Sequence, residues 1–222
     1  MIPPLIVECA LDHGLDLIAI TDHNASANVD AVIQASHGTG LKVLPGMELQ
    51  TREEVHLLCL FDSLGALETW QSQVDTVLPN LRNRPDTLGE QFVVDAAGDF
   101  MRREERLLLI SANIALEDAV TRVNALGGMA IPAHIDRPAN GLIALLGFVP
   151  SQLNAVALEI SPNISCDAAC LKFHLPEGAP LIRSSDAHWL DAIGSATTEF
   201  ELERTRDVAS LRNALREKKF KV

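Results

Sequence analysis

Four histidines and two carboxylates stand where short apolar runs meet polar residues. They occur in Thr21-Asp22-His23-Asn24, in Gly46-Met47-Glu48, at His134 after Met129 to Ala133, and in Ser184-Ser185-Asp186-Ala187-His188. The sixth, His56, lies inside the apolar stretch Val55-His56-Leu57-Leu58. Imidazole and carboxylate are borderline-to-hard donors suited to Zn²⁺, Mn²⁺ or Fe²⁺. Six such groups exceed what one tetrahedral zinc needs, so the set suggests two or more ions, with a carboxylate such as Glu48 between them. Ions about 3.5–4 Å apart can hold a phosphate ester and deliver a hydroxide in line, because the pKa of bound water falls from ~15.7 toward roughly 7. A metal-bound hydroxide is then the only catalytic group required.

A single histidine at a strand end is ordinarily just a satisfied polar residue. Six donors on successive strand ends are not explained that way, and a buried His56 needs a partner. Arg137, three residues after His134, could grip a phosphate bidentately or pair with Asp136 or another neighbour; the spacing leaves both open. His13, His37 and His174 precede glycine or proline and read as structural or solvated. Ser184 and Ser185 have no assigned base and read as loop residues.

The elements that must position these groups alternate. Pro3 and Pro4 can open a helix that Gly14 stops. Strands are expected over Leu15 to Ile20, Lys42 to Leu44, Glu54 to Phe61, Met129 to Ala133, Ala155 to Ile160, Leu181 to Arg183 and Thr198 to Leu202. Helices are expected over Val29 to Ser36, Leu64 to Leu78 with Ser63 as N-cap, Leu116 to Leu126, and Arg206 to Lys218. Val93-Val94 and Phe100-Met101 suggest a small hairpin around Ala97-Gly98-Asp99. Alternation of this kind argues for a parallel α/β architecture. Bringing five strand ends to one point favours a barrel over an open sheet.

Composition sets outer limits. The 222 residues are 47% hydrophobic, enough for a sizeable core in one large domain or two small ones. No run approaches the ~18 apolar residues of a membrane span, and the first residues lack a secretory head, so a cytoplasmic protein without a membrane partner is expected. Cys9, Cys59, Cys166 and Cys170 are too few for a disulfide scaffold; the i,i+4 pair Cys166 and Cys170 reads as thiols rather than zinc ligands. The formal charge of -12 disfavours duplex nucleic acid as a partner. The basic Lys218-Lys219-Phe220-Lys221 reads as a solvated helix end.

Taken in order, Thr21-Asp22-His23-Asn24, Gly46-Met47-Glu48, His56, Ala133-His134 through Arg137 and Ser185-Asp186-Ala187-His188 resemble the PHP (polymerase and histidinol phosphatase) family, over essentially the whole chain. The resemblance implies a single PHP-like domain over residues 1–222, folded as a distorted (β/α)₇ barrel with one to three divalent ions. It implies His23 and His188 on one ion, His56 and His134 on a second, and Glu48 bridging that second ion to a third, which Asp186 also holds. It implies phosphoester hydrolysis. The family begins with a strand carrying Asp-x-His-x-His, and Met1-Ile2-Pro3-Pro4 resembles the segment that follows it. A chain without its first strand, holding fewer ions and turning over little substrate, is therefore expected, with an open sheet edge that a homodimer would cover. The expected substrate is a small phosphate ester or nucleotide. An oligonucleotide exonuclease and a metal-poor module that binds a ligand or partner are the alternatives.

Overall fold

The computed structural model describes residues 1–202 and 205–222. Helix α1 (Pro3–Asp12) opens on its two prolines, whose missing amides fall where a helix has no acceptor to offer. Gly14, at φ +68°, ends it. Strand β1 (Leu17–Ile20) and helix α2 (Val29–Ala35) follow. Strand β2 runs from Lys42 to Gln50, well beyond the expected end at Leu44, so Glu48 lies within the strand. The strand survives its proline by changing partner there. Up to Pro45 it pairs in parallel with β1; from Gly46 onward it pairs with β3 (His56–Leu60). The Pro45 carbonyl accepts from the Phe61 amide, so the ladder passes through a residue with no N–H. Gly46 is required by close approach: a Cβ there would stand 2.8 Å from Thr21 Cγ2 and 2.9 Å from the Ile20 carbonyl.

The β2–β3 pairing is antiparallel, which corrects the expected parallel sheet. Residues 51–55 form a tight turn, with Glu54 at φ +65° and the Thr51 amide donating to the Val55 carbonyl. A connection that short joins only antiparallel strands. Helix α3 (Leu64–Val77) comes next, capped as expected by Ser63, whose Oγ accepts from the Ala66 amide at 3.3 Å. A single turn α4 (Pro85–Leu88) leads to the expected hairpin of β4 (Phe92–Val94) and β5 (Phe100–Arg103). Helix α5 (Leu116–Ala125) then delivers β6 (Met129–Pro132), which also pairs antiparallel with β3.

After α6 (Leu142–Leu146) the chain forms β7 (Leu158–Glu159), α7 (Cys166–Phe173) and β8 (Leu181–Ile182), with β7 and β8 parallel. Strand β9 (Glu199–Phe200), helix α8 (Val208–Glu217) and strand β10 (Phe220–Lys221) complete the order. Strand β9 pairs with β10 rather than with the central sheet. The basic run begins at the helix end, as expected, where Lys218 stops α8 at φ +57°, and then continues as the strand Phe220–Lys221.

The fold is mixed α/β, with a central sheet in the order β1-β2-β3-β6. Alternate residues of this sheet serve two apolar layers. Met47, Leu49, Leu57 and Cys59 pack with Trp70, Val120 and Ile160 on one side. Leu44, Leu60, Met129 and Ile131 pack with Val208, Leu211 and Leu215 of α8 on the other. Among the described residues no ladder joins β1 to β8. No helix among them is long and apolar enough to cross a membrane.

Candidate metal centre

Because β3 runs opposite to β1 and β2, its first residue lies at the rim toward which β1 points. His56 therefore reaches the same place as His23, although it starts a strand rather than ending one. The Asp22–Asn24 loop continues alongside β2: the Glu48 amide donates to the Asp22 carbonyl at 3.1 Å, and the Asn24 amide to the Glu48 carbonyl at 2.9 Å. Asn24 is fully buried at φ +50°. Its Nδ2 donates to the Leu108 and Ile110 carbonyls at 2.7 and 2.8 Å, and its Oδ1 accepts from the Gln50 amide at 3.0 Å. On the far side, the His56 amide donates to the Asn140 carbonyl and the Ala133 amide to the His56 carbonyl, which sets the loop bearing His134 and Arg137 over the start of β3.

Glu48, only 4% exposed, is the centre of this arrangement. Its Oε1 lies 2.9 Å from His56 Nδ1 and 3.3 Å from His134 Nε2, and its Oε2 lies 3.2 Å from His23 Nδ1. The imidazoles run in a chain, with ring centroids 5.0 Å apart for His23 and His56, 5.3 Å for His56 and His134, and 6.0 Å for His23 and His188. Asp186, at φ +43°, pairs with Arg137 Nη1 at 2.5 Å, so the Arg137 partner is Asp186 rather than Asp136. His188 is half exposed and its Nδ1 lies 2.9 Å from the Asp186 carbonyl. All six expected donors and Arg137 line one cavity of about 310 Å³, together with Pro138, Ala139 and Asn140.

The donor set fits a divalent cation on three observations. One donor atom from each of His23, Glu48 and His56 falls within 4.8 Å of the others. His134 Nδ1 is buried without a hydrogen-bond partner. His56 Nδ1 is at hydrogen-bonding distance from Glu48 but outside hydrogen-bonding geometry, as when two lone pairs face a shared point instead of each other. Charge agrees. Burial alone would raise the Glu48 carboxyl; His134, His56 and His23 outweigh it and hold the group well below the usual carboxylate range. Burial pushes the His23 imidazole down, with Glu48 only partly opposing, which favours the neutral form that ligates metals.

Glu159 escaped the reading of the sequence. It is 2% exposed at the end of β7, and burial pushes its carboxyl up against the lowering contacts of Ser184 and the His134 amide. The signal was present, since Leu158-Glu159-Ile160 sets a titratable residue between apolar neighbours as Val55-His56-Leu57 does. Asp136 was likewise passed over. It accepts from the Ser161 amide at 2.7 Å and from Ser161 Oγ at 2.5 Å. Of the other histidines, His13 contacts the Cys9 carbonyl at 2.8 Å at the end of α1.

A family model described as PHP-associated matches residues 172–220. No curated protein matches the chain by sequence. Among solved structures, Endonuclease Q in complex with a 27-mer duplex substrate with an abasic lesion at the active site matches at TM-score 0.72 and 19% identity, over 96% of this chain and 51% of that one. The lesion-specific endonuclease EndoQ from Pyrococcus furiosus matches at TM-score 0.68 and 18% identity, over 98% and 51%. A two-domain protein from Bacteroides vulgatus, containing a predicted PHP-like metal-dependent phosphoesterase, matches at TM-score 0.56 and 14% identity, over 99% and 59%. The chain thus spans about half the length of these structures and shares its fold with them. The resemblance to the PHP family holds in both kinds of comparison. The expectation that duplex nucleic acid is no partner is overturned, since a fold this similar holds a DNA duplex at its active site. Net charge describes the whole surface and says little about a cleft whose own cations can invert the local field.

Proposed function

We propose that this chain is a metal-dependent phosphoesterase whose divalent ions, Zn²⁺, Mn²⁺ or Fe²⁺ and one to three in number, are held by His23, Glu48, His56, His134, Asp186 and His188. The observation that carries the reading is a nearly inaccessible carboxylate with three imidazoles within 3.3 Å, at the floor of an open cavity. Such a group is costly to bury unless it serves a charge. A divalent ion supplies Lewis acidity, which makes water a nucleophile near neutral pH and neutralises charge on a phosphoryl oxygen. The chain's own residues do the rest. Glu48 and the imidazoles fix where the cation charge sits, and Arg137, at the mouth, presents a planar fork to phosphate oxygens. Asp186 holds that fork in place from one side. Residues 1–222 are read as one unit with the distorted (β/α)₇ barrel of the PHP type, supported by a shared fold over nearly the whole chain. Four free cysteines fit a reducing, cytoplasmic setting.

Two substrate readings remain. A small phosphate ester or nucleotide suits the cavity's size. A nucleic-acid phosphodiester is favoured by the Endonuclease Q fold and by Trp189, which is 64% exposed with its ring centroid 6.4 Å from that of His188. An exposed indole beside a phosphate-binding cleft can stack on a base. The test is to load the chain with Mn²⁺ and offer a phosphomonoester, a generic phosphodiester, and single-stranded and abasic duplex oligonucleotides. Slow turnover that a chelator removes and Mn²⁺ restores is expected. A metal-loaded chain inert toward all four refutes the reading.

A further inference from the structure

Glu159 is a deeply buried carboxylate beside the site that is not among the six donors. Its two oxygens are directed to two different loops. Oε2 accepts from the His134 amide at 2.9 Å, and Oε1 accepts from Ser184 Oγ. The Glu159 carbonyl also accepts from the Ile135 amide at 2.8 Å. Strand β7 lies between the exit of β6 and strand β8, tied to the latter by the Ile160 amide on the Ile182 carbonyl. One side chain thus holds the loop bearing His134 and, two residues before Asp186, the loop bearing Asp186 and His188.

Both loops need holding. His134 at φ +29° and Asp186 at φ +43° occupy the left-handed region, where a residue with a side chain persists only if its surroundings enforce it. At His134 the ring meets Glu48 through Nε2, and the main chain is held separately by the amide's bond to Glu159. The two donors could be satisfied by a neutral amide as well as by a carboxylate. Among the described residues no lysine or arginine pairs with Glu159, so its charge is balanced by no cation of the chain, and its two contacts are all that it offers the fold.

We infer that Glu159 is a positioning residue, which sets His134 against Asp186 and His188 by clamping their loops to β7. The inference rests on the reading of the rim as a cation site. It makes geometry, not charge, the contribution of Glu159. Glu159→Gln can keep both contacts, its carbonyl accepting from the His134 amide and its NH₂ donating to Ser184 Oγ. Glu159→Leu fills the same space and keeps neither.

The experiment is a titration of the metal-free wild type, Glu159→Gln and Glu159→Leu with Co²⁺, followed by its visible absorption, with thermal unfolding of each metal-free chain alongside. Loss of a supporting partner typically weakens metal binding about 10–100-fold. That loss and an altered Co²⁺ spectrum are expected for Glu159→Leu, with a lower unfolding temperature from the two donors it orphans, while Glu159→Gln keeps the unfolding temperature and stays within about threefold of wild-type affinity. Wild-type affinity in Glu159→Leu overturns the inference, and so does a Glu159→Gln variant as weak as Glu159→Leu, which would make charge the cause. If Glu159→Leu is too unstable to titrate, the role is structural and the inference fails, unless Glu159→Gln restores both fold and spectrum. A wild type that binds Co²⁺ but hydrolyses nothing refutes the phosphoesterase reading alone. A wild type that binds none refutes both.

Discussion

The rim and the β4–β5 hairpin handle charge in opposite ways. Around the hairpin, arginines meet carboxylates in the open: Arg82 with Glu105, Arg103 with Glu90, Arg102 with Glu104, and Arg106 with Glu104 and Asp75. Water screens such pairs, and each contributes little. At the rim a carboxylate is buried among imidazoles, left-handed residues are clustered, and buried nitrogens lack partners. Unsatisfied buried groups are expensive. Other buried polar groups lack partners too, Trp70 Nε1 and Asn83 Oδ1 among them, but the rim alone among the described residues gathers a buried carboxylate with three imidazoles around it.

Asn24 joins the two regions, since its side chain ties the His23 loop to the carbonyls of Leu108 and Ile110 below the hairpin. Removing it is the strongest way to break the contrast. Asn24→Ala leaves the Ile110 carbonyl and the Gln50 amide without a partner, takes one of two donors from the Leu108 carbonyl, and strains a φ of +50°. At about 1–3 kcal/mol per orphaned buried group, a loss of roughly 3 kcal/mol or more is expected. Thermal unfolding should register it as a fall of about 6–12 °C; a change below about 2 °C would show that the tie is idle.

Glu48→Gln tests the rim itself. It keeps the volume but removes the charge that the imidazoles surround. Cation affinity should fall at least about 100-fold, beyond the range of a supporting partner, while the metal-free chain changes little in stability or gains some. Calorimetric titration with Mn²⁺ measures the first and denaturant unfolding the second. Unchanged Mn²⁺ affinity would remove Glu48 from the centre.

Arg106→Ala is the smallest effect and tests the hairpin. Burial would raise the Glu104 carboxyl, but the Arg106 amide and the Arg106 and Arg102 guanidinium groups outweigh it and lower the pKa. A carboxylate lowered in the folded state stabilises the fold above its unfolded pKa of about 4.3, and the contribution vanishes as pH falls through the folded value. Arg106→Ala should therefore cost no more than about 1 kcal/mol at pH 7, and the gap should close on acidification below about pH 4. A gap that widens in acid would contradict this assignment.

Much of this was legible in the sequence. Caps and stops were explicit at Ser63, Gly14 and the prolines of α1, because those residues act through local backbone rules. The donors were legible as residue types at apolar-to-polar junctions. Strand direction was not, because alternating elements look alike whether a connection crosses over or turns back; the clue was the shortness of residues 51–55. The extent of β2 was hidden by Pro45, which reads as a strand end unless the partner is known to change there. Glu159 and Asp136 were hidden for a different reason. The apolar neighbours of Glu159 signal that it is buried, but which distant main-chain amides a supporting carboxylate meets is written in no spacing of the sequence.

The backward run of β3 has a consequence for assembly. Glu48 and His56 belong to one hairpin, so chain connectivity alone brings them together, and hairpins close in about 1–10 μs. His134, Asp186 and His188 must arrive from far along the chain, against a loop-closure entropy that the hairpin escapes. On a ribosome adding about 5–20 residues per second, the carboxylate and its first imidazole face each other some seconds before Asp186 has been made. A nascent chain would then present half a centre to whatever cations the cell offers, before the remaining donors have been made.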